Sequence, residues 1–132
     1  MADIIYSQDY ARDAYGPPVP VLDVGVSRPG LSTASVSFEA IVDTGADNTL
    51  IPVDILELAQ APYVDRAYLR GITGERQPVN LYLVTLHIAS LRIPGIRAAA
   101  LPQREPAILG RDVLNQLYIG LDGPAGITEV LE

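Results

Sequence analysis

Residues 38–52 read FEAIVDTGADNTLIP, where apolar residues alternate with others and lead to one acid, Asp43, followed by Thr44 and Gly45. Such alternation predicts a β-strand with one face in a core. An ionised carboxylate at the end of that strand is costly to bury unless another group compensates its charge. The stretch therefore predicts a strand that presents an acid and a hydroxyl to a partner group.

Further strands are predicted on both sides of this stretch. Val19–Val26 and Ala34–Val42 alternate and form a first hairpin. Ala67–Ile72 and Val79–Ile88 form a second hairpin, whose polar tip is Gly71–Gly74. The remaining predicted elements are strands at Ile4–Tyr6, Leu91–Leu101, Tyr118–Asp122 and Ile127–Leu131, a short helix from Pro52 to Leu58, and a clearer helix at residues 111–117.

Length and composition predict one globular domain. The chain has 132 residues, of which 48% are apolar and 19% are charged, and this is enough to bury a substantial core. Eleven glycines and eleven prolines indicate many turns, which favours short strands over long helices. We expect an N-terminal arm at residues 1–18 and a folded domain at residues 19–132.

The net charge and the scarcity of cysteine and histidine exclude several classes of function. The net charge is −7 without a basic cluster, so nucleic acid is not an expected partner. Without cysteine, disulfides, thiolate metal sites and cysteine catalysis are excluded, and the single histidine, His87, rules out a multi-histidine metal site. We expect no metal and no other cofactor. The N-terminus lacks a charged leader followed by an apolar run, and no stretch has membrane-spanning length, so we expect a cytoplasmic protein without membrane contact.

A second short motif, Ile108-Leu109-Gly110-Arg111, precedes the predicted C-terminal helix. Together with Ile41-Val42-Asp43-Thr44-Gly45-Ala46, it resembles the retropepsin family, the retroviral-type aspartic proteases and their cellular and bacterial relatives. The Gly71–Gly74 tip falls between the two motifs, where that family has its flap. The resemblance implies an all-β fold: a retropepsin-like acid-protease barrel of short strands with one C-terminal helix, assembled as a two-fold homodimer.

The chemistry of this family needs two carboxylates that share one proton. Two carboxylates about 3 Å apart do not both ionise readily, so the apparent pKa values of the pair separate. The chain supplies one such acid, since Asp23-Val24-Gly25 has no hydroxyl and no partner motif. We therefore expect Asp43 to meet its own copy across a two-fold axis. The predicted function is an aspartic endopeptidase, a hydrolase whose paired Asp43 carboxylates activate a water molecule against an extended peptide or protein.

The resemblance assigns roles to the residues of both motifs and of the flap. Thr44 braces the two active-site loops, and Ala46 lacks the hydroxyl of pepsin-like relatives, which predicts an activity optimum in mild acid. Asp47 and Arg111 form a supporting ion pair, and Asn48 replaces an acid that many retroviral members carry. The expected catalytic residues are Asp43, Thr44 and Gly45; the expected substrate-binding residues are Ala46, Asp47, Asn48, Gly71, Ile72, Thr73, Gly74, Pro106 and Ile108; the expected structural supports are Ile108, Leu109, Gly110 and Arg111.

Other interpretations of the same residues stay open at this point. Asp43 also fits an ordinary strand-to-turn exit, in which its carboxylate caps the turn. The alternative function is a non-cleaving retropepsin-like dimerisation or peptide-binding module, which a cleavage assay distinguishes from a protease. A plain structural β-domain predicts a monomer that tolerates Asp43→Ala. His87 fits a strand position better than a catalytic one, since no Gly-x-Ser-x-Gly turn presents a nucleophile.

Overall fold

A computed structural model describes residues 3–71 and 73–132 of the chain. Within these residues the chain forms ten strands and two short helices, and the predicted all-β fold is confirmed. The elements in chain order are β1 (Ile4–Asp9), β2 (Val21–Ser27), β3 (Val36–Val42), β4 (Leu50–Pro52), α1 (Val53–Leu58), β5 (Tyr63–Arg70), β6 (Arg76–Ile88), β7 (Leu91–Leu101), β8 (Ala107–Leu109), α2 (Arg111–Leu114), β9 (Tyr118–Asp122) and β10 (Ile127–Leu131).

Seven strands form a barrel in the order β2-β3-β8-β4-β7-β6-β5. The barrel closes because β2 pairs with β3 on one side and with β6 on the other, where Gly25 lies opposite His87. Strand β2 is buried along its whole length except at Asp23: one face lines the core, and on the other Gly25 and Ser27 lie against His87. Leu22, Val24 and Val26 are each 0% exposed at the centre of this core.

Two parallel strand pairs bring the predicted motifs together. Strand β3 lies parallel to β8, with Val42 opposite Leu109, and β4 lies parallel to β7. The ends of parallel strands reach the same edge of a sheet. The segments that follow Val42 and Leu109 therefore leave the barrel side by side, although they are far apart in the sequence.

Both helices are short, and both occur where the sequence suggests them. Helix α1 begins directly after Pro52 and ends at Leu58. The C-terminal helix is confirmed but ends at Leu114 rather than Leu117, because residues 115–117 form the turn that directs the chain into β9. Among the described residues, neither helix has the length and apolar character needed to cross a bilayer.

A smaller sheet of three strands, in the order β1-β10-β9, lies against the barrel. The strand predicted at Ile4–Tyr6 is present and continues to Asp9, and it pairs with β10. The family resemblance also suggests that the strands Tyr118–Asp122 and Ile127–Leu131 could pair with their own copies in a dimer. Within one chain β10 has β1 and β9 on its two edges, and pairing between copies stays a prediction. The division between an arm at residues 1–18 and a domain at residues 19–132 stays a prediction.

Candidate active site

Asp43 is the first residue after β3, and hydrogen bonds at both its backbone N–H and its carbonyl oxygen hold it in place. Its backbone N–H donates to the carbonyl oxygen of Leu109 at 3.1 Å, and its own carbonyl accepts from the N–H of Ala46 at 3.2 Å. Its half-buried carboxylate accepts a hydrogen bond at Oδ1 from the N–H of Gly45 at 2.9 Å. No described residue hydrogen-bonds Oδ2. One oxygen is thus oriented by the protein, and the other remains available to a second group.

Arg111, the first residue of α2, holds the loop that follows Asp43. Its guanidinium donates through Nη1 to the carbonyl oxygen of Thr44 at 2.8 Å and through Nη2 to Oδ1 of Asp47. Its backbone N–H donates to the carbonyl oxygen of Ala46 at 2.8 Å. Both charged groups are exposed, so the ion pair by itself contributes little to stability. The loop is oriented by the set of three bonds, two from the guanidinium and one from the backbone N–H.

A buried hydrogen-bond network lies beneath the loop. Thr49 is 0% exposed, and its hydroxyl donates to Oδ1 of Asp112 at 2.7 Å while accepting from the N–H of Gly110 at 3.1 Å. The Thr49 N–H also donates to Oδ2 of Asp112 at 3.2 Å. Neither Thr49 nor Asp112 is predicted from the sequence to have a role. The sequence features that indicate them are a polar residue directly before an apolar strand and an acid beside the second motif. It ties the loop to α2 from the inside.

Gly110 is required by the close packing of the two motifs. A Cβ atom at this position would lie 2.5 Å from the backbone carbon and oxygen of Asn48, much nearer than real side chains approach. The two backbones touch because no side chain separates them. The glycine of the second motif therefore sets how closely the loop after Asp43 approaches α2.

An open cleft of ≈ 360 Å³ lies between the loop that follows Asp43 and the β5–β6 hairpin, and Asp43 itself is not among its lining residues. Gly45, whose N–H holds the Asp43 carboxylate, lies at its edge. The lining residues are Gly45, Ala46, Asp47, Asn48 and Leu50 from the loop side and Tyr68, Leu69 and Arg70 from the hairpin side. Leu50 and the three β5 residues were not expected from the sequence, because alternation predicts a hairpin without indicating which part of it faces the loop.

The hairpin tip adopts a tight turn. The N–H of Gly71 donates to the carbonyl oxygen of Glu75 at 2.9 Å, and the N–H of Gly74 donates to the carbonyl oxygen of Gly71 at 3.0 Å. Gly74 has a φ of +85°, a conformation that favours glycine. The Thr73 hydroxyl donates to the Glu75 carboxylate. Ile72, which the sequence assigns to substrate binding, lies outside the described residues.

The remaining residues of the expected site lie elsewhere or make no contact within it. Thr44 is exposed, and no described residue hydrogen-bonds its hydroxyl. Pro106 is exposed before β8, and Ile108 lies within β8 between Ile41 and Leu50. Neither Pro106 nor Ile108 lines the cleft.

His87 lies in the wall of the barrel and not in the cleft. Its Nε2 and the hydroxyl of the buried Ser27 are 2.8 Å apart, where β6 pairs with β2. Burial lowers the pKa of His87, and the positive charge of Arg92, its cross-strand neighbour, lowers it further. The imidazole is thus biased toward its neutral form, as in a structural hydrogen bond of the barrel wall.

Comparison with known proteins places these motifs in a family. A family model described as "gag-polyprotein putative aspartyl protease" matches residues 31–116. A retropepsin-like aspartic protease from Rickettsia conorii superposes with a TM-score of 0.63 at 13% identity, over 99% of this chain and 94% of that one. EIAV protease, in complex with the inhibitor HBY-793, superposes with a TM-score of 0.54 at 20% identity, over 74% of this chain and 86% of that one.

At these identities the two structures support the fold alone, and a comparison with curated protein sequences finds no match. The family model, in contrast, spans both the Asp43 loop and the segment from Gly110 through α2. It covers more than half of the chain. The resemblance inferred from the two motifs is therefore confirmed, and the chain belongs to this family of retropepsin-like aspartic proteases.

Proposed function

We propose that this chain is an aspartic endopeptidase that hydrolyses peptide bonds as a two-fold homodimer. The observation that carries the proposal is the state of Asp43: Oδ1 is held by the N–H of Gly45, which itself lines an open cleft, and no described residue hydrogen-bonds Oδ2. A side chain that only capped a turn would not need the clamp of Arg111 and the buried Thr49–Asp112 network behind it. Membership of an aspartic protease family supports the same function.

The second carboxylate comes from the partner copy of Asp43. A two-fold axis near Oδ2 brings the two carboxylates together, because a two-fold interface pairs the same surface of both chains. The pair then shares one proton, which removes the cost of holding two negative charges close together. Thr44, exposed in the single chain, faces this axis and its hydroxyl braces the partner loop.

The reaction needs no covalent intermediate. The ionised carboxylate accepts a proton from a water molecule as the water oxygen attacks the scissile carbonyl carbon, and the protonated carboxylic acid donates its proton to the carbonyl oxygen. The resulting gem-diol collapses as the newly protonated carboxyl group donates its proton to the amide nitrogen and a gem-diol hydroxyl gives its proton to the other carboxylate, and the carbon–nitrogen bond breaks. The two carboxylates exchange roles, so that the pair still holds one proton afterwards.

The substrate lies extended in the cleft, between the Gly45–Asn48 loop and the β5–β6 hairpin, which acts as the flap. An extended peptide offers backbone hydrogen bonds to both sides and alternate side chains to pockets. Gly71, Thr73 and Gly74 at the hairpin tip are proposed to close over the scissile bond.

The test compares cleavage of a mixed peptide library by wild type and by Asp43→Asn, from about pH 3.5 to 7, the range in which a shared-proton pair gains and loses activity. We expect wild-type cleavage to peak in mild acid and Asp43→Asn to be inactive, although it retains the size and hydrogen-bonding capacity of the side chain. Cleavage by both forms would assign the activity to another site. A dimeric wild type that binds peptides without cleaving them would identify the chain as a peptide-binding module.

Mixing the two forms tests whether both chains contribute a carboxylate. If pairing is random, adding an equal amount of Asp43→Asn leaves about a quarter of all dimers with two aspartates, which is about half of the original number. Wild-type activity should therefore fall by about half. Unchanged activity would mean that a single chain is sufficient.

A further inference from the structure

We propose that Arg70 makes the enzyme select substrates that carry an acidic side chain in the subsite beneath the β5–β6 hairpin. This inference rests on the proposed function, since it names the substrate class of the same cleft. It assigns specificity to a residue at the end of β5, away from both sequence motifs.

The position of Arg70 places it beside the path of a bound peptide. It lines the same cleft as Gly45, whose N–H holds the Asp43 carboxylate. The cleft volume of ≈ 360 Å³ is that of a few side chains, so the part of an extended peptide that lies in it is short. The side chain that enters it therefore belongs to a residue within a few positions of the scissile bond.

The charge of the cleft favours an anion. Asp47 is the one acidic residue among the described residues that line it, and the Arg111 guanidinium pairs with its carboxylate. Asn48, the neighbouring residue, is neutral and offers an amide donor. No described carboxylate lies within salt-bridge distance of Arg70. The uncompensated charge of the cleft is thus the positive charge of Arg70.

The hairpin places a second cation next to the first. Arg70 and Arg76 lie directly opposite each other in the β5–β6 register, and like charges at such positions destabilise a strand pair. The Arg76 guanidinium lies 5.0 Å from the centre of the Tyr68 ring, which also lines the cleft, so Arg76 is held beside Arg70 by a cation–π contact. A substrate carboxylate bound at Arg70 offsets this repulsion, and a guanidinium fork matches carboxylate geometry.

The experiment sequences the cleavage sites in a chymotryptic digest of a bacterial proteome, using wild type, Arg70→Gln, Arg70→Lys and Arg66→Gln at about pH 5. Arg66→Gln is the matched control, since Arg66 is an exposed arginine of the same strand that does not line the cleft. For wild type we expect about fivefold enrichment of Asp and Glu at one position near the cut, as one charge pair provides. Arg66→Gln should retain this enrichment, Arg70→Lys should keep part of it, and Arg70→Gln should lose it.

Two further readouts separate this proposal from the proposed function. The enrichment should fade below about pH 4, where Asp and Glu of the substrate become protonated. If wild type cleaves and Arg70→Gln selects the same sites, the proposed specificity of Arg70 for acidic side chains is wrong, whereas the proposed protease function is supported. If no form cleaves, the same digest is passed over immobilised wild type and Arg70→Gln. Equal retention of acidic peptides by both would overturn the subsite, and selective retention by wild type would support it without protease activity.

Discussion

At the scale of single residues, Gly110 is the position where the loop after Asp43 leaves no room for a side chain. Gly110→Ala adds a Cβ atom 2.5 Å from the backbone carbon and oxygen of Asn48, and backbone atoms yield less readily than a flexible side chain. We expect the free energy of unfolding to fall by about 1–3 kcal/mol, the usual range for overpacking. Urea unfolding of wild type and Gly110→Ala measures this difference in the free energy of unfolding.

Gly123→Ala is the matched control for this substitution. Nothing lies within 4 Å of a Cβ atom built at Gly123, and its φ is not in the left-handed region, so the change should leave stability nearly unaltered. Equal unfolding midpoints for Gly110→Ala and Gly123→Ala would mean that the contact between the two motifs relaxes without cost, and that the glycine of the second motif is not required by packing.

His87 makes stability depend on pH, and the sign follows from its environment. Burial, with a further contribution from the charge of Arg92, lowers the pKa of His87 from its ordinary value of 6.5. Between the folded pKa and 6.5 the unfolded chain binds more protons than the folded chain, so the free energy of unfolding decreases as pH falls through this window. Because the proposed activity also changes in mild acid, stability must be measured separately from cleavage.

His87→Gln should reduce this acid sensitivity. The glutamine amide occupies roughly the place of Nε2 and keeps a hydrogen bond to the Ser27 hydroxyl, but it has no proton to gain in this range. Denaturant unfolding between about pH 5 and 7.5 should give a shallower pH dependence for His87→Gln, with Arg92→Gln intermediate because it removes the smaller cause. The same slope in wild type and His87→Gln would assign the acid sensitivity to other groups.

Some residues of the candidate site were predictable because they belong to short motifs. Others were not, because the residues that contact each other are far apart in the sequence. Gly110 and Arg111 belong to a motif whose spacing is visible in the chain, so the sequence indicates them as supports for Asp43. Thr49 and Asp112 are 63 positions apart, and neither residue type is unusual by itself. The pairing of β4 with β8, in which Leu50 lies opposite Ile108, brings them together. Arg70 was missed because hairpin alternation does not reveal which strand end faces the loop.

At the scale of secondary-structure elements, Thr49 connects the start of β4 to α2. Thr49→Val keeps the shape of the side chain but removes the hydroxyl that bonds the Asp112 carboxylate at 2.7 Å and the Gly110 N–H at 3.1 Å. Both groups then lose a partner in a buried place, and we expect a loss of about 1–3 kcal/mol in the free energy of unfolding. Cleavage should fall as well, because α2 orients the Asp43 loop through Arg111.

Thr128→Val is the control, since this threonine is equally buried but its hydroxyl has no hydrogen-bond partner among the described residues. Replacing an unpaired buried hydroxyl by a methyl group should leave stability unchanged or raise it slightly. Calorimetric unfolding of Thr49→Val and Thr128→Val measures the stability that each variant loses relative to wild type. If both lose stability equally, the loss reflects packing at buried threonines and not the bond between Thr49 and Asp112.

Strands were predictable wherever one face is buried, since alternation then appears in the sequence. Tyr118–Asp122 and Ile127–Leu131 have the predicted bounds. Helix α2 was predicted too long because apolar spacing continues to Leu117, while the chain must turn before β9 begins at Tyr118. The partners of a strand are not encoded in its own pattern. For this reason the pairing of β1 with β10 was not expected.

At the scale of the whole molecule, β9 is an edge strand through which we expect a second copy to bind. Strand β10 is interior, and β1 is fixed to the barrel through Gln8, which bonds the backbone N–H of Asp23 at 2.6 Å and its carboxylate at 3.2 Å. Strand β9 has an unpaired edge with Tyr118 71% and Leu121 51% exposed. In the proposed homodimer we expect two copies of β9 to pair antiparallel about Gly120, because this arrangement would satisfy a two-fold axis and cover both edges.

Leu121→Arg should therefore weaken the homodimer, because it places two like charges near the axis and removes apolar contact. We expect the dimer dissociation constant to rise at least about tenfold, measured by sedimentation equilibrium. Cleavage should fall at low protein concentration and recover at high concentration, since each Asp43 loop stays intact. Leu58→Arg is the matched control, because Leu58 is 68% exposed on α1 and outside the three-stranded sheet. Equal dimer affinity for both variants would place the two-fold contact on another surface and leave the β9 edge uncovered.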